Sequence, residues 1–296
     1  MESEMNLGDH HRTARNCSVI AAFCLALTFA TGAIAAQYKM KQIRVEYVLP
    51  KNPAHQPIYE QLKQARALER LQELLSPLRL PKALPLKVSG CDGVSNAWYD
   101  EGVVTVCYEY LDDILKNAPE QTLPVGITKQ DAILGPFLDV FLHEIGHAVF
   151  DLLKVPVFGR EEDAADMFSA YIMLQFGKDD AHRLILGSAY QYKADVQNPQ
   201  VSLAIKKFSD EHEIPAQRFY NVLCIAYGAD QKLFADVVEK GFLPKDRAEG
   251  CDGEYEQTAF AFKTLIGPYI DKKLASKILK TWMRDVKTRP QRPPNR

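Results

Sequence analysis

The alternation of hydrophobic and polar residues along the chain predicts a small sheet near its beginning. Residues 43–49 alternate as a half-buried strand does and stop at a proline. Residues 84–88 form a second predicted strand, and the proline within it favours an edge position in the sheet. Residues 95–108 predict a hairpin whose two strands meet at a turn over residues 100–102.

Apolar residues at helical spacing predict that most of the remaining chain is helical. A long helical segment covers 132–153, and Gly135-Pro136 near its start indicates a kink or a restart. The other predicted helices are 58–75, 110–117, 161–176, 179–193, 200–208, 215–226, 230–241, 254–265 and 270–285. The predicted fold class is therefore α+β, with a small mixed sheet beside the long helix and a mostly helical C-terminal lobe.

The N-terminus is patterned as a targeting segment. Two arginines precede an uncharged, almost wholly apolar run, residues 17–36, which contains an A-x-A cleavage site at Ala33 and Ala35. This is the layout of a secretory signal, although about 20 apolar residues can also just span a bilayer. We expect residues 1–35 to be a signal peptide or an N-terminal anchor. The protein is then exported, either periplasmic or secreted, and meets a membrane only if this segment stays uncleaved.

Four cysteines remain after cleavage: Cys91, Cys107, Cys224 and Cys251. An even number in an exported protein predicts two disulfides, and four cysteines allow three pairings. The short separations favour Cys91–Cys107, which would connect the two arms of the predicted hairpin, and Cys224–Cys251. Four buried free thiols are the alternative.

Charge and length narrow the classes of function. The chain has 296 residues, with 36 Lys and Arg against 38 Asp and Glu, and a net charge of -2. This length is enough to bury a sizeable core. The near-neutral balance removes the general electrostatic argument for nucleic acid as a partner. A Gly-rich phosphate loop of either common type is missing from the sequence, which lowers the expectation of nucleotide chemistry.

The sequence His143-Glu144-Ile-Gly-His147 lies inside the long predicted helix. Residues four apart share a helix face, so both imidazoles can reach one metal ion. Glu144 lies about 100° further around the helix, where it can take a proton from a metal-bound water rather than bind the metal. Two histidines, one carboxylate and an open water position form the catalytic zinc arrangement, although such ligands also accept other divalent metals.

A third ligand is expected on the next helix. Pro156 and Gly159 indicate a loop that reverses the chain and returns this helix beside the histidines. Glu162 is then well placed to be the third ligand. Asp166 lies one turn later on the same face and can accept the spare N–H of a ligand histidine. Glu161 is the alternative ligand.

The combination of H-E-x-x-H with E-x-x-A-D at residues 162–166 resembles the gluzincin clan of zinc metallopeptidases. More narrowly, the chain is similar to a family of exported bacterial proteins regarded as metallopeptidases, also at residues 96–99, 107–109 and 217–221. The resemblance covers most of residues 40–285, but only the metal motifs are specific. It implies a zincin-like fold, one Zn²⁺ ion and a peptide or protein substrate.

The resemblance also implies roles for residues outside the metal motifs. In gluzincins an extended substrate adds to an edge strand beside the metal helix, and Asn96, Ala97 and Trp98 would form that edge here. A donor from the C-terminal lobe usually stabilises the oxyanion. The candidates for this donor are His212, Arg218 and Tyr220.

We therefore expect zinc-dependent hydrolysis of peptide bonds by a domain spanning residues 37–288. A lobe with the sheet and the metal helix (37–177) precedes a helical lobe (178–288), and residues 289–296 are a predicted disordered tail. The alternative is a peptide-binding or cell-envelope scaffolding protein that keeps the metal with little or no catalysis. Glu144 argues against this alternative, because neither role needs a general base.

Overall fold

The computed structural model describes residues 42–123, 126–192 and 209–288, without the side chains of 285–288. These residues belong to a compact unit that begins at Gln42. The predicted targeting segment, the predicted helix over 200–208 and the predicted C-terminal tail lie outside the described residues.

Four strands form a mixed sheet in the order β1-β2-β4-β3. They are β1 (Ile43–Tyr47), β2 (Leu84–Ser89), β3 (Ala97–Asp100) and β4 (Val103–Cys107). The first, second and fourth strands are parallel, whereas β3 pairs antiparallel with β4 at the edge of the sheet. Glu101 and Gly102 between them have φ angles of 49° and 79°. Two positive φ angles are typical of the type I′ turn of a hairpin, so the predicted hairpin is confirmed.

The predicted edge position of β2 is wrong, because β2 lies between β1 and β4. The N–H of Leu84 donates to the carbonyl of Gln42 on the β1 side, so the nitrogen of the next residue, Pro85, faces the β4 side. Pairing with β4 begins only at Leu86, opposite Val104. The proline therefore removes no hydrogen bond from the sheet, and a central strand tolerates it.

Eleven α-helices occupy much of the rest of the described chain. They are α1 (Gln56–Ala65), α2 (Ala67–Leu75), α3 (Tyr108–Asn117), α4 (Lys129–Leu153), α5 (Glu161–Met173), α6 (Lys178–Gln191), α7 (Pro215–Ala229), α8 (Ala235–Glu239), α9 (Lys245–Ala248), α10 (Cys251–Ala261) and α11 (Lys272–Thr288). The helix predicted over 58–75 is two helices, because Arg66 is left-handed, with φ 53°. The predicted α+β class with a helical C-terminal part is confirmed.

Helix α4 is the central element of the fold and contacts β3, β4, α5 and α6. Thr128 and Asp131 form a capping box that fixes its start. The helix continues through Pro136, so the restart indicated by the sequence does not occur.

Among the described residues, α4 is the helix long and apolar enough to cross a membrane, but most of that apolar stretch is buried within the protein, as in the core helix of a soluble fold.

Backbone contact at two glycines lets α4 and α6 cross closely. A Cβ on Gly187 would lie 2.1 Å from the carbonyl oxygen of Asp131, and a Cβ on Gly135 would lie 2.5 Å from the nitrogen of Ser188. Backbone atoms in packed helices cannot move aside as the end of a flexible side chain can. Glycine is therefore required at both positions, and the crossing sets the distance between α4 and α6.

We expect Gly187→Ala to lower the free energy of unfolding by about 3 kcal/mol, the upper end of the range for overpacking, because the added methyl group meets backbone. Urea denaturation followed by circular dichroism measures this loss. Gly253, in the first turn of α10, is the matched control because a Cβ there would meet nothing within 4 Å. Gly253→Ala should be neutral or stabilising by up to about 1 kcal/mol. Similar losses in both variants would contradict the explanation.

The structure contains the two disulfides expected from the sequence. Cys91 pairs with Cys107 and Cys224 pairs with Cys251, with Cα–Cα distances of 5.6 and 5.0 Å. Cys91 lies in the loop before β3 rather than in an arm of the hairpin, so the first disulfide connects this loop to the end of β4. The second connects α7 to the start of α10. Disulfides persist in oxidising compartments, so both give weak support for an extracellular location.

Candidate metal centre

Helices α4 and α5 approach closely beside the predicted metal motif. A Cβ on Gly146 would lie 3.3 Å from both the Cα of Ala165 and the ring of Phe168. The loop between the helices contains Gly159 at φ 122°, a conformation that favours glycine. Small residues at the crossing therefore let side chains from both helices reach one point, as the sequence predicted.

Three potential ligand atoms form a compact triangle at this point. The Nε2 atoms of His143 and His147 are 3.2 Å apart, and they lie 3.0 and 3.4 Å from Oε2 of Glu162. Zinc bonds of about 2.0–2.1 Å to nitrogen and oxygen give edges of roughly 3.3–3.4 Å in a tetrahedron. The triangle therefore has nearly the dimensions of one face of a tetrahedral zinc site.

Carboxylates on the far side of each imidazole orient both histidines. Oδ1 of Asp166 lies 2.7 Å from Nδ1 of His143, and Oε1 of Glu161 lies 2.8 Å from Nδ1 of His147. Each Nδ1–H can donate to a carboxylate, so Nε2 of both rings is directed towards Oε2 of Glu162. A proton on Nε2 or a bound cation would supply the positive charge that this carboxylate oxygen favours. Glu161 was the alternative ligand in the sequence analysis. In the structure it contacts Nδ1 of His147, which faces away from Glu162.

The electrostatics of the triangle also favour a positive charge. Burial lowers the pKa of His143, but hydrogen bonds to Asp166 and Glu162 outweigh it and raise the pKa to about 10. Burial raises the pKa of Glu162, but hydrogen bonds from His143, His147 and His212 lower it well below its usual range. The surrounding carboxylates therefore stabilise a proton on His143. A bound metal ion would supply the same positive charge.

Arg218 of α7 contacts Asp166 rather than the triangle. Its Nε and Nη2 atoms donate to the two oxygens of Asp166 at 2.8 and 2.6 Å. Burial raises the pKa of Asp166, but the His143 hydrogen bond and the Arg218 charge outweigh it and lower the pKa to about 2. Asp166 is therefore ionised at neutral pH and holds the Nδ1–H of His143. The ring of Tyr192 packs over the Arg218 guanidinium at 5.1 Å.

His212 is the oxyanion candidate that the structure brings to the triangle. Its Nε2 lies 2.8 Å from Oε2 of Glu162, and its half-exposed ring stacks on that of His143 with centroids 5.8 Å apart. The ligand atoms of these three residues all lie within 4.8 Å of one another. The backbone N–H of His212 donates to Asp210, which stabilises the loop conformation that presents the imidazole.

Tyr220 and the predicted substrate edge lie outside the triangle. Tyr220 packs edge-on against Phe219, with centroids 5.3 Å apart, and forms no hydrogen bond with the described residues.

The predicted substrate edge corresponds to β3, which begins directly after Asn96 and exposes Trp98. The Tyr99 hydroxyl of β3 donates to Asp151 at the end of α4. Strand β3 therefore lies against α4, the helix that carries His143 and His147.

Glu144 is buried, with 6% of its surface exposed. Burial raises its pKa, and the nearby charges of His143 and His147 offset only part of that effect. Its carboxylate forms no hydrogen bond with another described residue. A carboxylate with a raised pKa and a free oxygen is suited to take up and return a proton near neutral pH.

Asp139 is a buried polar residue that the sequence reasoning missed. Ser169 of α5 and Ser188 of α6 both donate to its carboxylate, and burial raises its pKa. Asp139 thereby connects three helices one turn before His143. The available signal was a lone acidic residue on an otherwise apolar stretch of helix, because such a group needs buried partners.

Comparison with known proteins provides one match. A family model described as "Putative metallopeptidase" (DUF4344) matches residues 47–266, a span that contains every residue of the triangle and its surroundings. Neither the curated proteins nor the solved structures contain a match to the chain.

Proposed function

The chain belongs to the DUF4344 family of putative metallopeptidases, and from this premise we propose that it is an exported, zinc-dependent peptidase. The observation that carries the proposal is the triangle of His143, His147 and Glu162, whose separations fit a tetrahedral site. These three residues would hold Zn²⁺. When bound there, the ion lowers the pKa of a water molecule and polarises a carbonyl group.

Glu144 is the proposed catalytic residue. It accepts a proton from the attacking water and returns this proton to the leaving amine, so the amide bond is replaced by a carboxylate and an amine. Its burial and raised pKa support this role. Asp166 and Glu161 keep the two imidazoles in the tautomer that directs Nε2 towards the metal position.

Strand β3 is the proposed binding edge for an extended peptide or protein substrate. Its outer side has no strand partner among the described residues. Asn96 pairs with Cys107 of β4, so the backbone groups of Ala97 and Tyr99 face outward, where they can pair with a peptide. Backbone pairing gives affinity without strong sequence preference, and pockets for side chains then decide specificity.

We expect His212→Ala to lower kcat by about 10²- to 10³-fold with little loss of bound zinc, because His212 donates to the oxyanion. Steady-state kinetics combined with metal analysis separates these effects. His182→Ala is the matched control, since His182 also pairs with an acid, Asp236, but on α6 and α8. A fall in zinc affinity that accounts for the lost activity would instead make His212 a metal ligand.

Metal removal tests the proposed function. Incubation with a strong chelator followed by dialysis should abolish cleavage of unfolded protein substrates, and about one equivalent of Zn²⁺ should restore it. Retention of zinc and peptide binding with no cleavage would favour the peptide-binding or scaffolding alternative. Cleavage that survives complete zinc removal would contradict the proposal.

A further inference from the structure

Charge is distributed unevenly along the chain. Residues 272–296 contain nine Lys and Arg and one acidic residue, Asp285, although the net charge of the whole chain is only -2. The residues before this segment therefore have a net charge of -10. A basic segment at the end of an otherwise acidic chain is typical of a protein with an anionic partner. Most of its described part is helix α11.

Four basic side chains of α11 lie on one face of the helix. They follow one another at intervals of four, three and four residues and are all exposed: Lys273, Lys277, Lys280 and Arg284. At 100° per residue they fall within a sector of about 60°, and they extend over about 16 Å of the helix axis. We call these four residues the basic stripe.

Helix α11 is packed by the side opposite the basic stripe. Trp282 is buried on that side, where its Nε1 donates to the carbonyl oxygen of Arg70 at 2.8 Å and its ring lies 5.6 Å from that of Phe176. At the start of α11 the N–H of Asp271 donates to the carbonyl oxygen of Pro77. These contacts fix the helix against α2 and the residues that follow it, so the stripe is a preformed surface.

The lysines of the basic stripe have no counter-charge within the described protein. None of the three forms an ion pair with a described residue, and positions 272–284 contain no acidic residue. Three exposed lysines elsewhere each lie within 3.1 Å of an aspartate oxygen: Lys116, Lys178 and Lys240. The positive field of the stripe is therefore left to act on an external partner.

An anionic lipid surface fits the basic stripe better than a nucleic acid does. Three of its four bases are lysines, whose point charges suit a diffuse negative surface, whereas nucleic-acid recognition favours the bidentate fork of arginine. Tyr269, three residues before α11, is 40% exposed, and tyrosine is enriched where proteins meet lipid headgroups. The export proposed above also places the protein beside lipid rather than nucleic acid.

We propose that the basic stripe docks the protein on a membrane surface that contains anionic lipids. Each Lys or Arg close to such a surface strengthens binding by a factor of about five. The attraction requires no matching shape, and the long side chains can extend their charged ends towards the headgroups.

The basic stripe is remote from the metal triangle. Helix α5 carries Glu162 at its start and ends at Met173, about 16 Å further along its axis. Trp282 of α11 contacts Phe176, three residues beyond that end. Docking through the stripe therefore goes beyond the proposed function and does not depend on catalysis, and substitutions in the stripe should not change cleavage of a soluble peptide.

Sedimentation of the full-length protein with lipid vesicles tests the proposal. The measured quantity is the ratio of its partition coefficients on vesicles of phosphatidylcholine with phosphatidylglycerol and on vesicles of phosphatidylcholine alone. We expect this ratio to be at least about 100 at low salt, because several bases act together. It should approach one in about 1 M NaCl, where the Debye length falls to about 3 Å.

Two triple variants separate the basic stripe from net charge. The stripe variant combines Lys273→Gln, Lys277→Gln and Lys280→Gln. The control variant combines Lys116→Gln, Lys178→Gln and Lys240→Gln, which changes the net charge equally but removes paired charges on three other helices. The ratio should fall about 100-fold in the stripe variant and stay within about threefold of the wild-type value in the control. The N-terminal segment is the same in all three proteins and contributes equally to both kinds of vesicle.

Three results would overturn the inference. One is equal partition of the wild type on both kinds of vesicle, and another is an equal loss in both triple variants, which would show that only net charge matters. The third is tighter binding to short duplex DNA than to anionic vesicles at the same concentration of negative charge, which would assign the stripe to nucleic acid. None of these measurements involves zinc or cleavage, so failure of the inference leaves the peptidase proposal intact, and the reverse also holds.

Discussion

Replacement of Glu144 by Gln is expected to lower kcat by about 10³-fold or more while the protein still binds one zinc ion. The amide keeps the size of the side chain but cannot accept the proton of the attacking water. Glu144 forms no hydrogen bond with another described residue, so the exchange should leave the packing around it unchanged. Single-turnover kinetics and metal analysis on the same preparation measure the two properties.

A second carboxylate provides the control for this experiment. Asp163 lies in the first turn of α5 next to Glu162, but it faces Arg160 and not the metal position. Asp163→Asn should leave kcat within about threefold of the wild-type value, since surface ion pairs contribute little. Peptidase activity that is unchanged in Glu144→Gln would exclude Glu144 as the general base.

Loss of the third ligand should have a similarly large effect, but on metal binding. We expect Glu162→Ala to weaken zinc affinity by more than about 100-fold, the upper limit for loss of an orienting partner, because one of three protein ligands disappears. Glu161→Ala removes only the hydrogen-bond partner of His147, and such orienting partners typically contribute 10- to 100-fold in affinity. Competition titrations with a chromogenic zinc chelator rank the two variants directly.

The comparison of these neighbouring residues is sharp because both lie in the same helical turn and carry the same charge. Removal of either changes the net charge and the α5 N-terminus equally. A larger loss of affinity in Glu161→Ala than in Glu162→Ala would mean that Glu161 binds the metal and that the triangle described above is not the site.

Local patterns predicted the parts of the site that depend on one or two elements. The spacing of His143 and His147 fixes a shared helix face, and Glu162 follows from a loop that can reverse. The hairpin followed from its Gly102 turn. Each of these features depends on residues close in sequence, for which helix and turn geometry are sufficient.

The features that the sequence reasoning missed depend on contacts between distant segments. Pro85 was expected in an edge strand, but it lies in the central strand β2. The strand tolerates it because the missing N–H would point to the β4 side at a level where β4 has not yet begun. Arg218 was one of three candidates for the oxyanion donor, and in the structure it donates to Asp166. The partners of Asp139 come from two other helices. Periodicity shows which residues are buried, but it does not show which distant segment supplies their partners.

The free edge beside α4 would restrict the proposed peptidase to substrates that can present an extended segment of backbone. Strand β3 has four residues, which correspond to about 13 Å of extended chain. A stably folded domain with short loops has no extended backbone segment that could pair with this edge strand. We therefore expect selectivity for conformation as well as for sequence, with damaged, nascent or already nicked chains cut and intact globular proteins spared.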